Sequence, residues 1–286
     1  MCSTTWFNFF NPKAGLSYTK NSHKIFASVA VSNREPVRNN YTDNGSYPLP
    51  KSEHLTDAEA GYCYTSTDFQ AGVDLYCMKY RNQLVQTGQV SNIGEALTTN
   101  AKKSYRAGAE FSVTYRISDW LSVSGNAALS MNKIKDFDEY VDDWDNAQTG
   151  TRIFHYGNTD MPFSPNVIVN GFADFTFGPV SLMWHTGFVS RQYLDNTHCA
   201  QRSLPSYTVS SLNAQYSFVP HHSKLLKLIV AGIDVDNIFN SHYAANGWVY
   251  SAICESEGFS NGNRYYEIGF MPGAGIMFMG HISLNF

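Results

Sequence analysis

Acidic residues crowd one stretch of the chain: Asp136, Asp138, Glu139, Asp142, Asp143 and Asp145, with Phe137, Tyr140 and Trp144 among them. Carboxylates at this density can hold calcium, because a hard cation takes oxygen ligands. The run lacks the glycine and the terminal glutamate of EF-hand spacing, so a solvated loop is the better reading and a loosely held cation the alternative. Histidines stand at 23, 54, 155, 185, 198, 221, 222, 242 and 281. His155, His198 and His242 fall in long polar segments and could meet around heme or a metal. His221 and His222 read as the surface of a short turn. The five cysteines show no CxxC spacing, which argues against a metal knuckle. Cys199 and Cys254 both lie in long polar segments, where a disulfide and two unlinked thiols are both open. No GxSxG, HExxH or glycine-rich phosphate loop occurs, and nothing in sequence order brings Ser, His and Asp together. Neither a cofactor nor enzyme chemistry is expected.

The elements that must carry these residues are strands. Only 15% of the 286 residues are charged, against about 25% in ordinary soluble domains, so an aqueous surface on all sides is poorly provided for. A net charge of -4 gives no electrostatic case for nucleic acid. No apolar run approaches the ~18 residues of a membrane helix. The longest comparable stretch, Leu225 to Ile233, carries Lys227. Period-two alternation recurs instead. Tyr105, Ala107, Ala109, Phe111, Val113 and Tyr115 alternate with Ser104, Arg106, Glu110, Ser112, Thr114 and Arg116. Leu121, Val123, Ala127, Leu129 and Met131 alternate with Ser122, Ser124, Asn126, Ser130 and Asn132. Similar segments near 7–19, 22–33, 56–66, 68–81, 164–177, 179–194, 206–219, 224–238 and 275–286 bring the total to about eleven strands, of the length a tilted strand needs to cross a bilayer. Tyr105 and Tyr115 are spaced as two interfacial aromatic girdles require.

The connections separate a membrane barrel from the alternative, a large secreted β-sandwich. Tight turns at Lys20-Asn21-Ser22, Ser66-Thr67, Ile117-Ser118-Asp119, Gly178-Pro179 and Pro220-His221-His222-Ser223 alternate with polar loops near 34–55, 82–101, 135–163, 195–205 and 239–274. Outer-membrane barrels follow this rule, with short periplasmic turns and long extracellular loops; a sandwich has no reason to. The predicted fold is therefore all-β, an antiparallel transmembrane β-barrel, with Phe286 at the periplasmic face. An odd strand count and two unpaired edges predict partner strands outside the chain. Met1-Cys2-Ser3-Thr4-Thr5 shows no export signal, so the expectation is an excerpt of a longer protein or a truncated reading frame.

Several runs resemble the barrel of TonB-dependent receptors, especially the iron-complex type of Bacteroidetes. They are Phe9-Phe10-Asn11-Pro12-Lys13-Ala14-Gly15-Leu16-Ser17-Tyr18; Ala27 to Pro36, continuing to Asn40-Tyr41-Thr42-Asp43; Ala60-Gly61-Tyr62; Gly72-Val73-Asp74-Leu75-Tyr76; and Asp236-Asn237-Ile238-Phe239-Asn240. The terminal His281-Ile282-Ser283-Leu284-Asn285-Phe286 resembles the outer-membrane assembly signal, with Ile282, Leu284 and the final aromatic Phe286 alternating on one face.

The resemblance implies the C-terminal half of a 22-stranded barrel, residues 1–286 forming one barrel portion, with neither plug nor TonB-engaging segment in this sequence. It implies import of a siderophore or other iron complex, heme, a corrinoid or a similar solute. The implied partners are outer-membrane lipid, that small-molecule substrate and the barrel assembly machinery, with TonB reached only through an N-terminal region. Outer-loop aromatics hold substrate in this family, which nominates Tyr140, Trp144, Tyr156, Trp248 and Tyr250; membrane-interface anchoring or loop packing is the alternative. Lumen-facing Lys24, Asp74, Arg106, Glu110, Arg116, Asp174 and Arg191 would face the plug. A passive porin-like or structural barrel, a barrel enzyme and a non-functional remnant are the competing functions.

Overall fold

The computed structural model describes residues 6–43, 47–91, 94–146, 150–220, 225–258 and 264–286. In chain order the elements are β1 (Lys13–Lys20), β2 (His23–Arg34), α1 (Arg38–Thr42), β3 (Glu53–Thr65), β4 (Phe69–Val90), β5 (Ala96–Ser118), β6 (Leu121–Asp143), β7 (Thr151–Asp160) and β8 (Val167–Phe177). There follow β9 (Val180–Val189), β10 (Gln192–Tyr193), β11 (Ser203–Leu204), β12 (Tyr207–Phe218), β13 (Leu228–Asp236), β14 (Ala244–Ile253), β15 (Arg264–Pro272) and β16 (Met277–Asn285). Among the described residues no helix is long and apolar enough to cross a membrane.

Eleven strands make one antiparallel meander in the order β1-β2-β3-β4-β5-β6-β8-β9-β12-β13-β16. These are the eleven segments that alternation marks out. Side chains in register keep the two faces chemically distinct, because the strand period is two and neighbours pair residue to residue. One row runs Ile25, Tyr62, Val73, Phe111, Ala127, Val169 and Phe188; the adjacent row on the other face runs Lys24, Cys63, Gly72, Ser112, Asn126, Asn170 and Gly187. Phe111, Leu129, Val169 and Ile233 stay exposed on the apolar face, which has nothing packed over it. Such a face suits lipid and not water. Among the described residues β1 pairs only with β2, and β16 only with β13, so the sheet keeps two open edges.

At the short-turn end the apolar face carries an aromatic band. Phe69 meets Tyr64 and Tyr115 at 6.2 and 6.0 Å, and Trp120 stacks on Phe175 and Phe177 at 6.3 and 5.3 Å. Amphipathic rings collect where hydrocarbon gives way to headgroups. The Gly178-Pro179 turn is tight because Gly178 takes a φ of 56°, in the left-handed region where a side chain is strained. The turn at Pro220 to Ser223 falls partly outside the described residues.

The other end corrects the expectation of irregular loops at 82–101 and 135–163. β4 has 22 residues and β5 and β6 have 23 each, whereas about ten suffice to span the bilayer. The excess continues as paired strand. The changeover is marked by Asn82 and Asp136, with φ of 55° and 54°. Pairing keeps its register through both, with Arg81 opposite Lys103 and Gln83 opposite Ala101, and Lys135 opposite Asn158 and Phe137 opposite Tyr156, while the buried side changes over. In β6 the buried positions are Asn132 and Ile134 before Asp136, then Phe137, Glu139, Val141 and Asp143 after it. Alternation thus shifts by one at the two places where the sequence suggested that strands end.

Candidate functional site

Beyond Asn82 and Asp136 the chain builds a cap. β7 lies antiparallel along outer β6, from Lys133 opposite Asp160 to Asp142 opposite Thr151. The β14–β15 hairpin meets the tip of β6 through Ala252 and Ile253, parallel to Asp142 and Asp143. Val85, Ala101, Ile134, Phe137 and Met161 make a buried cluster, with Tyr156 packed against it. These strands therefore hold a core of the kind a soluble protein has, unlike the single-layer sheet below. The β7–β8 connection folds over the polar face, where Arg106 donates to Asn132 Oδ1 and Ser164 Oγ, both at 3.2 Å.

Glu139 is 1% exposed. Its Oε1 accepts from Arg202 at 2.7 Å and from Arg264, and its Oε2 accepts from the Tyr156 hydroxyl at 2.9 Å. Arg202 also donates to Asp195 Oδ2 at 2.6 Å, and Arg264 to Ser251 Oγ at 3.1 Å. The Arg202 guanidinium lies 5.1 Å from the Tyr266 ring centre; that of Arg264 lies 5.0 Å from Phe154 and 5.5 Å from Tyr266. A buried carboxylate is tolerable only when paired and hydrogen-bonded. This one joins β6, β7, β15 and the β9–β12 connection. Burial pushes the Asp195 carboxyl up, against the pull of Arg202. Burial alone would lower the Arg202 guanidinium, but the Asp195 and Glu139 carboxylates outweigh it and hold the cation more firmly.

Beside this network lies a cavity of about 460 Å³ lined by Gln86, Gln89, Phe137, Glu139, Asp195, Asn196, Trp248, Tyr250 and Glu267, among others. Gly88 lines it with a φ of 102°, and a Cβ there would stand 3.0 Å from the Tyr140 carbonyl. Among the described residues its wall carries carboxylates, amides, hydroxyls and aromatics and no basic side chain. The volume is that of a small-molecule site. Asp142 supports it from behind, accepting from the Tyr250 hydroxyl at 2.8 Å and from Gln89 Nε2. Burial and that bond to Asp142 push the Tyr250 phenol up. Burial likewise pushes the Tyr47 phenol up to about 12. The Tyr47 hydroxyl donates to Gln89 and its ring meets Tyr140 edge-on at 4.8 Å.

The nominated aromatics divide. Trp248 and Tyr250 line the cavity. Trp144 stands next to Tyr250 and Tyr265, at 6.3 and 5.6 Å, and is 54% exposed. Tyr140 packs on Tyr47. Tyr156 turns inward, its ring on Phe137 at 6.4 Å and its hydroxyl on Glu139. Ile282 and Leu284 sit on the apolar face opposite Ala231 and Ile229, and the Phe286 main-chain oxygen accepts from Lys227 at 3.1 Å.

Asp136 to Asp143 of the acidic run are strand, not loop: they continue β6, and Asp145 lies in the turn beyond it. The carboxylates have separate partners: Asp138 pairs with His155 at 2.7 Å, Glu139 with the two arginines, Asp143 with Arg152 at 2.9 Å and Asp145 with Ser256. His155 and His198 do not converge, since His198 binds Asp160 instead. Among the described residues no three His, Cys, Asp or Glu side chains gather as a metal site. Cys199 and Cys254 are both free thiols. His221 and His222 lie outside the described residues. Sequence reading missed Glu139, Asp195, Arg202 and Arg264 as a group, because they are far apart in the chain and lie outside every alternating segment.

Residues 3–238 match the family described as TonB dependent receptor-like, beta-barrel. The chain belongs to that family. No curated protein matches it. Similar solved structures include the ferric-catecholate import receptor Fiu from K12 E. coli, at 17% identity and a TM-score of 0.63 over 96% of this chain and 34% of that one. The copper transporter OprC gives 15% and 0.64 over 94% and 38%. The siderophore receptor PiuA from Acinetobacter baumannii gives 15% and 0.62 over 95% and 35%. At these identities the likeness is one of fold. This receptor-family chain spans about a third of the length of each.

Proposed function

We propose that residues 1–286 form the C-terminal half of a 22-stranded barrel in a Gram-negative outer membrane, and that the barrel imports a scarce solute such as an iron complex, heme or a corrinoid. The observation that carries the reading is the cavity of about 460 Å³ in the cap at the long-connection end, walled by Trp248 and Tyr250 and braced by a buried ion network. A cap with its own core presents such a wall in fixed geometry, which lowers the ordering cost of binding. Trp248 and Tyr250 are the direct contacts, Trp144 and Tyr140 extend the aromatic surface, and Tyr156 holds the wall through Phe137 and Glu139. Outer-membrane lipid covers the apolar face. TonB acts through a plug-bearing N-terminal region, and the polar face receives that plug. Ile282, Leu284 and Phe286 form the signal read by the barrel assembly machinery; Phe286→Ala should slow insertion in a pulse-chase experiment, and unchanged kinetics would remove that role.

The test is uptake. Trp144→Ala and Trp248→Ala, each in cells that depend on this protein for the solute, should weaken uptake and binding. Unchanged affinity in both variants refutes the site.

A further inference from the structure

On the apolar face, the rows nearest the cap change from hydrocarbon to cation. Leu75, Cys77, Lys79 and Arg81 share that face of β4, Ala107, Tyr105 and Lys103 that of β5, and Met131, Lys133 and Lys135 that of β6. Register sets Lys79, Tyr105 and Lys133 in one row and Arg81, Lys103 and Lys135 in the next. His54 closes the second row, opposite Arg81. Like charges directly opposed across a sheet destabilise it, and here they are opposed twice in succession. Lys133 is relieved by Asp160 at 2.7 Å. Among the described residues, Lys79, Arg81, Lys103 and Lys135 form no ion pair with a carboxylate. All four are exposed, and with Thr56 and Tyr105 they line a separate cavity of about 330 Å³. Lys135 Nζ lies 5.8 Å from the Tyr105 ring centre.

The position of this row along the strands matters as much as its charge. Phe69, in the aromatic band at the short-turn end, stands ten residues before Lys79 on the same strand. At about 3.4 Å per residue that interval matches the ~25 Å apolar band of an outer-membrane barrel with some margin. The cations therefore stand just past the hydrocarbon, on the lipid side, where the headgroups of the outer leaflet begin. Adjacent strands are about 4.8 Å apart, so Arg81, Lys103 and Lys135 span the width of one large headgroup.

We propose that Lys79, Arg81, Lys103 and Lys135 bind the phosphates of a phosphorylated glycolipid headgroup in the outer leaflet. The inference rests on the outer-membrane reading above and goes beyond it. Phosphate oxygens between the rows accept from ammonium and guanidinium together and remove the repulsion that the sheet otherwise carries. Tyr105 borders the sugar and the first acyl carbons.

The experiment uses protein purified from outer membranes into neutral detergent, with diphosphoryl lipid A, monophosphoryl lipid A and inorganic phosphate as probes. Diphosphoryl lipid A should bind and raise the unfolding temperature, monophosphoryl lipid A should do so less, and inorganic phosphate should compete only weakly. The triple variant Arg81→Gln, Lys103→Gln, Lys135→Gln should lose at least about tenfold in lipid affinity. In lipid-free detergent it should unfold at a higher temperature than the unsubstituted protein, which a merely structural role would not give. Lys20→Gln, at the short-turn end, should change neither. Wild-type affinity in the triple variant overturns the proposal. So does equal competition by inorganic phosphate, which would make this a free-anion site. If the triple variant fails to assemble, the unsubstituted protein decides: equal binding of phosphorylated and dephosphorylated lipid A overturns the proposal. The outer-membrane reading is judged separately, by surface labelling, and survives failure here.

Discussion

Removing the Glu139 carboxylate should open the cap and leave the barrel strands standing. Glu139→Ala takes away the acceptor of both Arg202 and Arg264, at a position 1% exposed. Arg202 keeps Asp195, but among the described residues Arg264 keeps Ser251 Oγ and the faces of Phe154 and Tyr266. Of the two buried guanidiniums, that of Arg264 then has no carboxylate partner among the described residues. Breaking a buried pair from one side costs about 3–5 kcal/mol, since the remaining charge cannot return to water. The cost should fall on local opening of the cap, because the network joins β6, β7, β15 and the β9–β12 connection and does not touch the sheet below Asn82 and Asp136. At about 1.4 kcal/mol per tenfold, amide exchange along β7, β15 and outer β6 should accelerate by roughly two to three and a half powers of ten. Exchange along β8 and β9 should stay unchanged. Adding Arg264→Met removes the stranded cation and should restore much of the protection. Hydrogen exchange read by mass spectrometry gives all five segments at once. Unchanged β7 and β15 amides in Glu139→Ala would refute the brace, and equal acceleration in β8 would show that cap and barrel are not separable.

Face assignment predicts an asymmetry between near neighbours. Leu129→Arg puts a cation on the apolar face and should cost about 2–4 kcal/mol near the bilayer midplane, lowering heat-resistant folded barrel on gels, whereas Asn126→Arg on the polar face should assemble normally. Alkali should loosen the Tyr47–Gln89 contact. Burial holds the folded Tyr47 phenol at about 12 against an ordinary 10.0, so the folded state binds this proton more tightly. The resulting stability is complete below pH 10 and is lost as pH rises through about 12. Phenolate absorbance of the unsubstituted protein, compared with Tyr47→Phe, should show one late-titrating phenol; its absence would contradict the assignment.

The membrane-length part of the fold was legible because its rules are local. Alternation in residues such as Tyr105 to Tyr115 follows from the pleat, and the tight turns follow from residues such as Gly178 and Pro179, so eleven strands and their order could be read directly. The cap was not legible, for a particular reason. Near Asn82 and Asp136 the buried side of the strands changes over, and a period-two pattern that changes phase looks like a strand that stops. The acidic run showed the same difficulty at the level of chemistry. Asp136 to Asp145 read as a solvated loop, with a loosely held cation as the alternative, yet a strand sends successive side chains to opposite faces and gives its carboxylates different partners. Glu139 with Arg202 and Arg264 spans 125 residues of chain, and no local spacing announces such a contact. The aromatics were nominated by type, and type alone does not tell Trp248, in the cavity wall, from Tyr156, packed behind it.

The central claim is that the long connections face outward across an outer membrane and the short turns face the periplasm. Single cysteines at Ser91 and Glu257, on the long side, and at Asp68 and Asp119, on the short side, test it in a background whose native cysteines are replaced by serine. A membrane-impermeant maleimide applied to intact cells should label Ser91→Cys and Glu257→Cys at once. Asp68→Cys and Asp119→Cys should react only after the outer membrane is permeabilised. Equal labelling of all four in intact cells, or labelling of the short-turn pair alone, would contradict the account.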